Sequence, residues 1–339
     1  MTEPFGTLPD GNSVFLYTIE GYGLKAMLCP VGATLVRLYV PDRNGTQDDV
    51  VLGYQDAAAY QADWMNIGAT VGRCANRIRG GVFELNGKTY TLEQNNLGNN
   101  LHSGPDFYSH RLWAVAQHTR TAITFSLESP DGDQGFPGNA TIRATYRLEE
   151  NQTLSICLEA ISDQDTIFNL TNHSCFNLRG HQYPKAALEQ ILMLPASRFL
   201  PCDDVFVPTG EIWDVAGTPM DFRIPKPIGQ DICTDYAQLC NPRGYDHSYP
   251  IEGGLCAVLS DPVSGRMMEV YTDSPCVHLY SGNYIDIDGK DGVYYCDRAG
   301  ISLETQFYPD AIHHPYWPQP IAKANTPWQS TTRFVFKTE

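Results

Sequence analysis

The chain has 339 residues, of which 42% are hydrophobic and 11% aromatic, enough to bury a large core. Its 23 Lys and Arg residues stand against 39 Asp and Glu residues, a formal net charge of -16 at pH 7. Such a charge repels polyanions, so we expect no nucleic acid partner and no binding to anionic membranes.

The N-terminal segment MTEPFGTLPDGNSVF lacks the basic start and long apolar stretch of a secretory signal, and no stretch of the sequence has the length and apolarity of a membrane span. The ten cysteines are scattered singly with no CxxC pair, so we expect reduced thiols that mostly pack as small hydrophobic side chains. Both features predict a cytoplasmic protein.

The predicted elements are mostly strands. The run ATLVRLYV at 33–40 alternates between two differently packed faces, and Asn86-Gly87 between alternating runs predicts a tight type I′ hairpin. Short helices are predicted only at 56–60 and 231–239. Five further runs predict strands, the last two joined by a turn at 262–265: TAITFSLES, NATIRATYRL, TLSICLEAI, LCAVLSD and RMMEVYTD.

The order of these elements predicts the fold class. Many short strands separated by turn residues, without regular strand-helix alternation, favour an all-β, large antiparallel β-sandwich with a few short helices over a Rossmann or α/β-barrel fold. No low-complexity linker, internal repeat or block of charge divides the chain. We therefore expect one domain over residues 1–339.

The segment NHSCFNL at 172–178 places an ionisable ring inside a run that otherwise resembles a buried strand. Period-two alternation predicts that His173 shares one polar face with Asn169, Thr171 and Cys175, unless a bulge intervenes. A lone histidine in such a position is most often bonded to a backbone carbonyl. Only polar segments elsewhere in the chain favour a chemical role for His173.

Four other segments are rich in polar residues: GRCANRIRGG at 72–81, NLHSG at 100–104, GYDHSY at 244–249 and ETQFYPDA at 304–311. Together with NHSCFNL, and in this order, they resemble the aldose 1-epimerase (galactose mutarotase) family. The resemblance implies a galactose mutarotase-like supersandwich. It also implies an isomerase that interconverts the α and β anomers of free aldohexoses such as galactose and glucose, with no cofactor.

Anomer interconversion opens the sugar ring, which requires one base for the anomeric hydroxyl and one acid for the ring oxygen. By the resemblance, Glu304 of ETQFYPDA is the base and His173 is the acid. Unperturbed pKa values are about 4.3 for Glu and about 6.5 for His. We therefore expect an ionised carboxylate and a histidine that modest shifts hold protonated near neutral pH.

The resemblance also assigns the residues around this pair. His102 is a third catalytic residue that stabilises developing charge on oxygen. Asn76 and Arg77 bind the sugar, the arginine through two parallel hydrogen bonds, and Asp246 accepts hydrogen bonds from hydroxyl groups. We expect His247 to be structural, because adjacent strand residues face opposite ways.

Three positions depart from the family pattern. Ser103 stands where glycine is frequent, so we expect a different loop and a shift in substrate preference. Cys175 stands where tyrosine is common, and we expect it to pack rather than react, since no covalent step is needed. His278 stands where a sugar-contacting glutamine is frequent, so we assign it to substrate binding, with the alternative that this contact is lost.

Three rival functions stay open from the residues alone. A glycosidase would use a carboxylate pair such as Glu304 with Asp246. A hexose-6-phosphate epimerase would bind phosphate through Arg73, Arg77 and Arg79, although we expect Arg73 and Arg79 to be structural or surface charges. A carbohydrate-binding sandwich would keep the groove without the chemistry.

The nine histidines show no HExxH or other compact ligand spacing, and His313 and His314 are adjacent rather than one helical turn apart. We therefore expect no required metal. The expected partner is a small-molecule aldohexose, and the expected assembly is a monomer or homodimer.

Overall fold

The computed structural model describes residues 1–339, and most of its regular structure is antiparallel strand. The first seventeen strands are β1 (Thr2–Thr7), β2 (Ser13–Gly21), β3 (Leu24–Cys29), β4 (Thr34–Pro41), β5 (Gln47–Asp49), β6 (Thr70–Val71), β7 (Arg77–Ile78), β8 (Val82–Leu85), β9 (Lys88–Thr91), β10 (Asn100–Leu101), β11 (Ala114–His118), β12 (Ala122–Ser129), β13 (Ala140–Glu149), β14 (Thr153–Ser162), β15 (Thr166–Ile167), β16 (Thr171–Asn172) and β17 (Cys175–Phe176).

The remaining strands follow in the C-terminal half of the chain. They are β18 (Ile191–Met193), β19 (Arg198–Phe199), β20 (Trp213–Asp214), β21 (Lys226–Pro227), β22 (Asp246–Pro250), β23 (Gly254–Ser260), β24 (Arg266–Thr272), β25 (Cys276–Tyr280), β26 (Ile287–Asp288), β27 (Tyr294–Tyr295), β28 (Ile301–Gln306), β29 (Ile321–Ala322) and β30 (Trp328–Thr338).

Helices are few and short. The helix α1 (Ala57–Gln61) begins after Asp56, whose carboxylate accepts the Ala59 N–H at 2.9 Å, so the helix predicted at 56–60 is confirmed. The helix predicted at 231–239 is reduced to α2 (Ala237–Cys240), because residues 231–236 form tight turns instead. Short 3-10 helices lie at Arg79–Gly81, Tyr108–His110, Asp133–Gly135, Pro184–Glu189, Ile228–Gln230, Lys290–Gly292 and Ala311–His313. None of these helices is long and apolar enough to cross a membrane.

Local strand predictions are confirmed where turn chemistry decides them. The hairpin of β8 and β9 turns at Asn86 and Gly87, whose φ values of 53° and 75° are those that a type I′ turn requires. The strands β12, β13, β14, β23 and β24 match the five predicted runs, and β23 and β24 pair across the predicted turn.

Three larger sheets form the sandwich. A nine-stranded sheet in the order β11-β12-β13-β14-β30-β24-β23-β18-β21 packs against a five-stranded sheet, β1 to β5, and a four-stranded sheet, β17-β28-β25-β22. Tyr146 donates its hydroxyl to the Ala33 carbonyl of the five-stranded side at 2.6 Å, and the ring of Phe334 lies 5.1 Å from that of Phe176 in the four-stranded sheet. The predicted all-β antiparallel sandwich is confirmed.

The main core contains 53 buried side chains, drawn from Ile19 at one end of the chain to Phe336 at the other. All three sheets contribute side chains to it, and the single domain over residues 1–339 stays a prediction. The four-stranded sheet, called the site sheet from here on, presents its other face to the loops that carry the polar segments.

Candidate active site

The site sheet holds the predicted base and two of its polar neighbours in one row. His278 in β25 pairs directly with Glu304 in β28, and Ser248 in β22 pairs with His278 on the other side. Directly paired residues of antiparallel strands point to the same face. Thr305, the next residue along β28, points the opposite way and contacts Thr332 of the nine-stranded sheet.

Glu304 and His173 meet above this row. Nε2 of His173 lies 3.5 Å from Oε1 of Glu304, and the two side chains are 9% and 2% exposed. Neither Oε2 of Glu304 nor Nδ1 of His173 has a hydrogen-bond partner within the chain. The predicted base and acid are therefore neighbours, with polar atoms available to a ligand.

His173 does not reach this place by the predicted strand alternation. Strand β16 ends at Asn172 and β17 begins at Cys175, because β16 pairs with β6 while β17 pairs with β28. His173 lies in the break, where its N–H donates to the Ala69 carbonyl at 2.9 Å and its carbonyl accepts the Gly68 N–H at 2.8 Å. The continuous strand with four polar residues on one face was thus a wrong prediction.

The protonation of the pair also differs from the expectation. Burial raises the pKa of Glu304 to about 7, an effect that the charges of His278 and Arg77 only partly offset. Burial lowers the pKa of His173 rather than holding it protonated. The two groups therefore compete for one proton near neutral pH, instead of one being firmly ionised and the other firmly protonated.

His102 is fixed beside Asn76 by reciprocal hydrogen bonds. The His102 N–H donates to the Asn76 carbonyl at 3.0 Å, and the Asn76 N–H donates to Nδ1 of His102 at 3.1 Å. Nδ1 is therefore an acceptor, so the proton of the neutral ring sits on Nε2. Burial and the neighbouring His173 keep the pKa of His102 well below its usual value. His102, whose ring lies 5.6 Å from that of His173, is a neutral N–H donor.

Asn76 and Arg77 present unused donors beside His102. Oδ1 of the Asn76 side chain accepts the Arg77 N–H at 2.9 Å, which leaves the side-chain NH2 of Asn76 for another partner. Nε of Arg77 donates to Asn96 at 3.2 Å, and its guanidinium lies over the ring of Phe206 at 5.2 Å. The terminal NH2 groups of this buried guanidinium remain for a ligand.

Asp246 and Ser248 hold His278 from both sides. Nε2 of His278 donates to Oδ1 of Asp246 at 2.7 Å, and Nδ1 lies 2.8 Å from the hydroxyl of Ser248. Burial opposes ionisation of Asp246, but the hydrogen bond from His278 and the positive charge nearby outweigh it and lower its pKa. Asp246 is a firmly ionised acceptor, as a sugar-binding carboxylate should be.

Two of the predicted structural residues face away from this cleft. The side chain of His247 bonds Gln238 at 3.0 Å and packs against Phe199, on the opposite face of β22 from Asp246. Arg79 points outward, half-exposed, and pairs with Asp203 at 2.8 Å.

Arg73 is structural and fully buried. Its guanidinium donates to the carbonyls of Pro137 at 2.7 Å and Gly138 at 2.8 Å, and to the hydroxyl and carbonyl of Ser129. These partners occupy all of its nitrogens, so the side chain offers nothing to a ligand.

Ser103 and Cys175, two of the residues that depart from the family pattern, make their contacts inside the protein. The Ser103 hydroxyl accepts the Cys74 N–H at 2.8 Å and donates to the Cys74 carbonyl at 3.2 Å, so it ties the His102 loop to the Asn76 segment. Sγ of Cys175 lies 2.9 Å from the Ser302 hydroxyl, and burial raises the pKa of this thiol to about 12. Cys175 is therefore a packed thiol at neutral pH.

Sequence reasoning missed Asp63. This buried carboxylate accepts hydrogen bonds from the Tyr54 hydroxyl at 2.7 Å and from the N–H groups of Met65 and Ile67 at 2.8 and 2.6 Å. Its charge raises the pKa of His173, although less than burial lowers it. The surrounding stretch QADWMN carries no motif, so only the folded chain brings this aspartate near the acid.

Asn169, which was predicted on the same polar face as His173, and Asp310 of ETQFYPDA were also missed as organisers of the site. Asn169 donates to the Ala75 carbonyl at 3.3 Å and accepts the Phe307 N–H at 2.8 Å. Asp310 donates its N–H to the Arg77 carbonyl at 2.9 Å. These contacts bind the arginine segment to the segment that contains the base.

The site is identified by its polar and ionisable residues, not by the size of a cavity. A surface cavity of about 1090 Å³ lies on the nine-stranded sheet beside Tyr271, Arg333 and Lys337 and contains none of the residues above. No group of three or more His, Cys, Asp or Glu side chains is arranged to hold a metal ion.

Comparison with known proteins gives a consistent picture. The family model described as aldose 1-epimerase matches residues 16–335. The galactose mutarotase of Bos taurus is 38% identical over 98% of this chain and 97% of its own length. The aldose 1-epimerase of Escherichia coli strain K12 is 33% identical over 98% and 97%.

Solved structures agree over the same length. An aldose epimerase homologue from C. elegans superimposes with a TM-score of 0.90 at 32% identity, covering 96% of this chain and 99% of that chain. The galactose 1-epimerase of Lactobacillus acidophilus NCFM gives a TM-score of 0.86 at 27% identity, covering 100% and 99%.

Proposed function

Because the chain belongs to the aldose 1-epimerase family, and is thus an isomerase that interconverts the α and β anomers of hexoses, we propose that Glu304 is its base and His173 its acid. The substrate we propose is a free aldohexose such as galactose or glucose. The observation that carries the assignment is the 3.5 Å separation of Nε2 of His173 and Oε1 of Glu304.

The reaction needs only proton transfers and one broken bond. Glu304 removes the proton of the anomeric hydroxyl, the bond between carbon 1 and the ring oxygen breaks, and His173 protonates that oxygen. Carbon 1 becomes an aldehyde. After rotation about the bond between carbons 1 and 2, the hydroxyl attacks the other face while both protons return to their donors, so the enzyme ends in its starting state.

Side-by-side placement of the acid and base suits this chemistry. The two oxygens that exchange protons in a cyclic hemiacetal are bonded to the same carbon atom, so one acid and one base that serve them must be neighbours. A glycosidase instead needs two carboxyl groups about 5–9 Å apart on opposite sides of the sugar. The pairing of Glu304 with a histidine, rather than with Asp246, supports the epimerase mechanism.

Sugar binding is proposed for Asn76, Arg77 and Asp246, with His102 as a third catalytic residue. Asn76 and Arg77 offer free N–H donors, while ionised Asp246 is an acceptor for hydroxyl groups. The neutral Nε2–H of His102 donates to an oxygen that gains charge during ring opening. A direct sugar contact by His278 stays a prediction and is treated in the next subsection.

The site supports a neutral sugar over a sugar phosphate. Of the three arginines that a phosphate site would recruit, Arg73 is enclosed by backbone carbonyls and Arg79 points outward to Asp203. Only Arg77 remains, and ionised Asp246 nearby disfavours a second anion.

Polarimetry tests the substrate class. Freshly dissolved α-D-galactose and α-D-glucose should each relax faster with protein than without it, to the same final rotation. α-D-Glucose 6-phosphate should gain less, and a 4-nitrophenyl galactoside should release no nitrophenol. Faster relaxation of the phosphate ester, or release of nitrophenol, would transfer the proposal to one of the rivals.

We further propose that the reaction needs no metal or cofactor, because two proton carriers complete it. Dialysis against EDTA should leave the rate unchanged. A cytoplasmic location is proposed from ten unpaired cysteines, which suit a reducing compartment. Cell fractionation tests the location, and light scattering tests the expected monomer or homodimer.

A further inference from the structure

His278 is enclosed by protein partners on both ring nitrogens. Nε2 lies 2.7 Å from Oδ1 of Asp246, Nδ1 lies 2.8 Å from the Ser248 hydroxyl, and the residue is 4% exposed. Because Asp246 is ionised, Nε2 carries the proton of this bond. A sugar hydroxyl would have to displace one of these buried partners, which would leave that partner's polar group unpaired.

His278 also lies directly opposite the base. Glu304 and His278 form a cross-strand pair of β28 and β25, and Ser248 continues the row in β22. His278 lowers the pKa of Glu304, against the larger effect of burial, and lowers the pKa of Asp246 through its hydrogen bond. One side chain therefore touches the sugar-binding carboxylate and neighbours the base.

We propose that His278 is a positioning residue that holds Asp246 in its sugar-binding orientation and electrostatically supports the ionised form of Glu304, without contacting the sugar itself. This inference rests on the roles proposed above for Glu304 and Asp246. It replaces the assignment of His278 to direct substrate binding.

The electrostatic part depends on every charge around the two groups. The titratable and charged groups facing Glu304 are His173, His278, Asp246, Arg77, Cys175 and Cys276. Those facing His278 are Asp246, Glu304, His102 and His247. Removing the ring takes away its lowering effect on the pKa of Glu304 and leaves Asp246 without its hydrogen-bond partner. The pKa of Glu304 should therefore rise.

Two substitutions separate the two roles. His278→Gln keeps an N–H donor within reach of Asp246 but removes the imidazole that lowers the pKa of Glu304, so KM should stay within about threefold while the kcat/KM profile moves to higher pH by roughly half a unit or more. His278→Leu removes the donor as well, so KM should rise about tenfold or more in addition to the same pH shift. His247→Gln is the matched control, since it changes the adjacent histidine on the opposite face, and it should leave the pH profile unmoved.

The alternatives give different results. If His278 only bound the sugar, His278→Leu would raise KM, whereas His278→Gln would keep it, because glutamine is a sugar-contacting residue at this position in the family. Neither variant would then move the pH profile. An unmoved profile in His278→Gln overturns the proposal, and so does an unchanged KM in a folded His278→Leu. If His278→Leu fails to fold, the profile of His278→Gln alone decides. Failure of the catalytic assignment itself would appear separately, as an active Glu304→Gln variant.

Discussion

Nε2 of His173 and Oε1 of Glu304 lie 3.5 Å apart, although the two residues belong to a break between strands and to the middle of a strand respectively. Burial raises the pKa of the carboxyl group to about 7 and lowers that of the imidazole, which reverses their usual order. Such a pair holds one proton between its members. That is the state from which one group accepts a proton while the other donates one.

Replacement of His173, the proposed acid, should remove most of the activity. His173→Asn keeps a polar side chain of similar size but cannot donate a proton to the ring oxygen, so we expect kcat to fall about a hundredfold or more. Relaxation of α-D-galactose, corrected for the spontaneous rate, measures this. A folded variant with a kcat close to that of the wild type would exclude His173 from the proton transfer.

The pH dependence should show both members of the pair. The active state holds one proton, so activity falls when the pair gains a second proton and when it loses the only one. Because burial raises the pKa of Glu304 to about 7 and lowers that of His173, kcat/KM should follow a bell whose maximum lies below about pH 7. Arg79→Met, which alters an outward-facing charge, should give the same bell. A flat profile from about pH 5 to pH 9 would be incompatible with a shared proton.

Burial of Glu304, the proposed base, should also lower the stability of the fold at alkaline pH. The pKa of Glu304 rises from 4.5 to about 7 on folding, so between these values the folded chain holds a proton that the unfolded chain releases. Stability contributed by this group is therefore lost as the pH rises through that window. Glu304→Gln should be more stable than the wild type at pH 8, on the order of 1–3 kcal/mol, and the difference should shrink at pH 5. Urea unfolding at both pH values measures it, and an equal free energy of unfolding at pH 8 would refute it.

Arg73 should matter for stability rather than for specificity. Arg73→Met leaves the carbonyls of Pro137 and Gly138 and the Ser129 hydroxyl without a donor, so we expect a loss of about 3 kcal/mol or more in the free energy of unfolding. The control Arg79→Met removes a half-exposed ion pair and should change stability by less than about 1 kcal/mol. Urea unfolding compares the two. Equal losses would mean that the buried network around Arg73 contributes little.

The sequence was sufficient to predict local structure where a few neighbouring residues determine the backbone conformation. Asn86-Gly87 specifies a type I′ turn through two positive φ values, and Asp56 specifies the start of α1 through a capping bond. The sheet content followed from alternating strands between turn residues. These features were predictable because each depends on a few neighbouring residues.

The remaining features depend on partners that lie far apart in the chain. The run around His173 was predicted as one strand, but β16 and β17 pair with β6 and β28 respectively, and no local pattern announces that change of partner. Likewise, burial in the folded chain sets the pKa values of Glu304 and His173. The motifs identified the residues, whereas their charge states required the fold.

His278 illustrates the same limit at a single residue. From the sequence it is an imidazole at a position that faces a sugar, with two free nitrogens. In the folded chain Asp246 and Ser248 occupy both nitrogens across the strands of the site sheet. Its partners come from β22, and only the register of β22 with β25 brings them together.

The most direct test of Glu304 as the base is the polarimetric rate of α-D-galactose with wild-type protein and with Glu304→Gln at equal concentration. If Glu304 is the base, relaxation should be well above the spontaneous rate for the wild type, and kcat should be about a hundredfold or more lower for a folded Glu304→Gln. A Glu304→Gln rate within about threefold of the wild type would contradict it, because the anomeric proton would then be removed by another group.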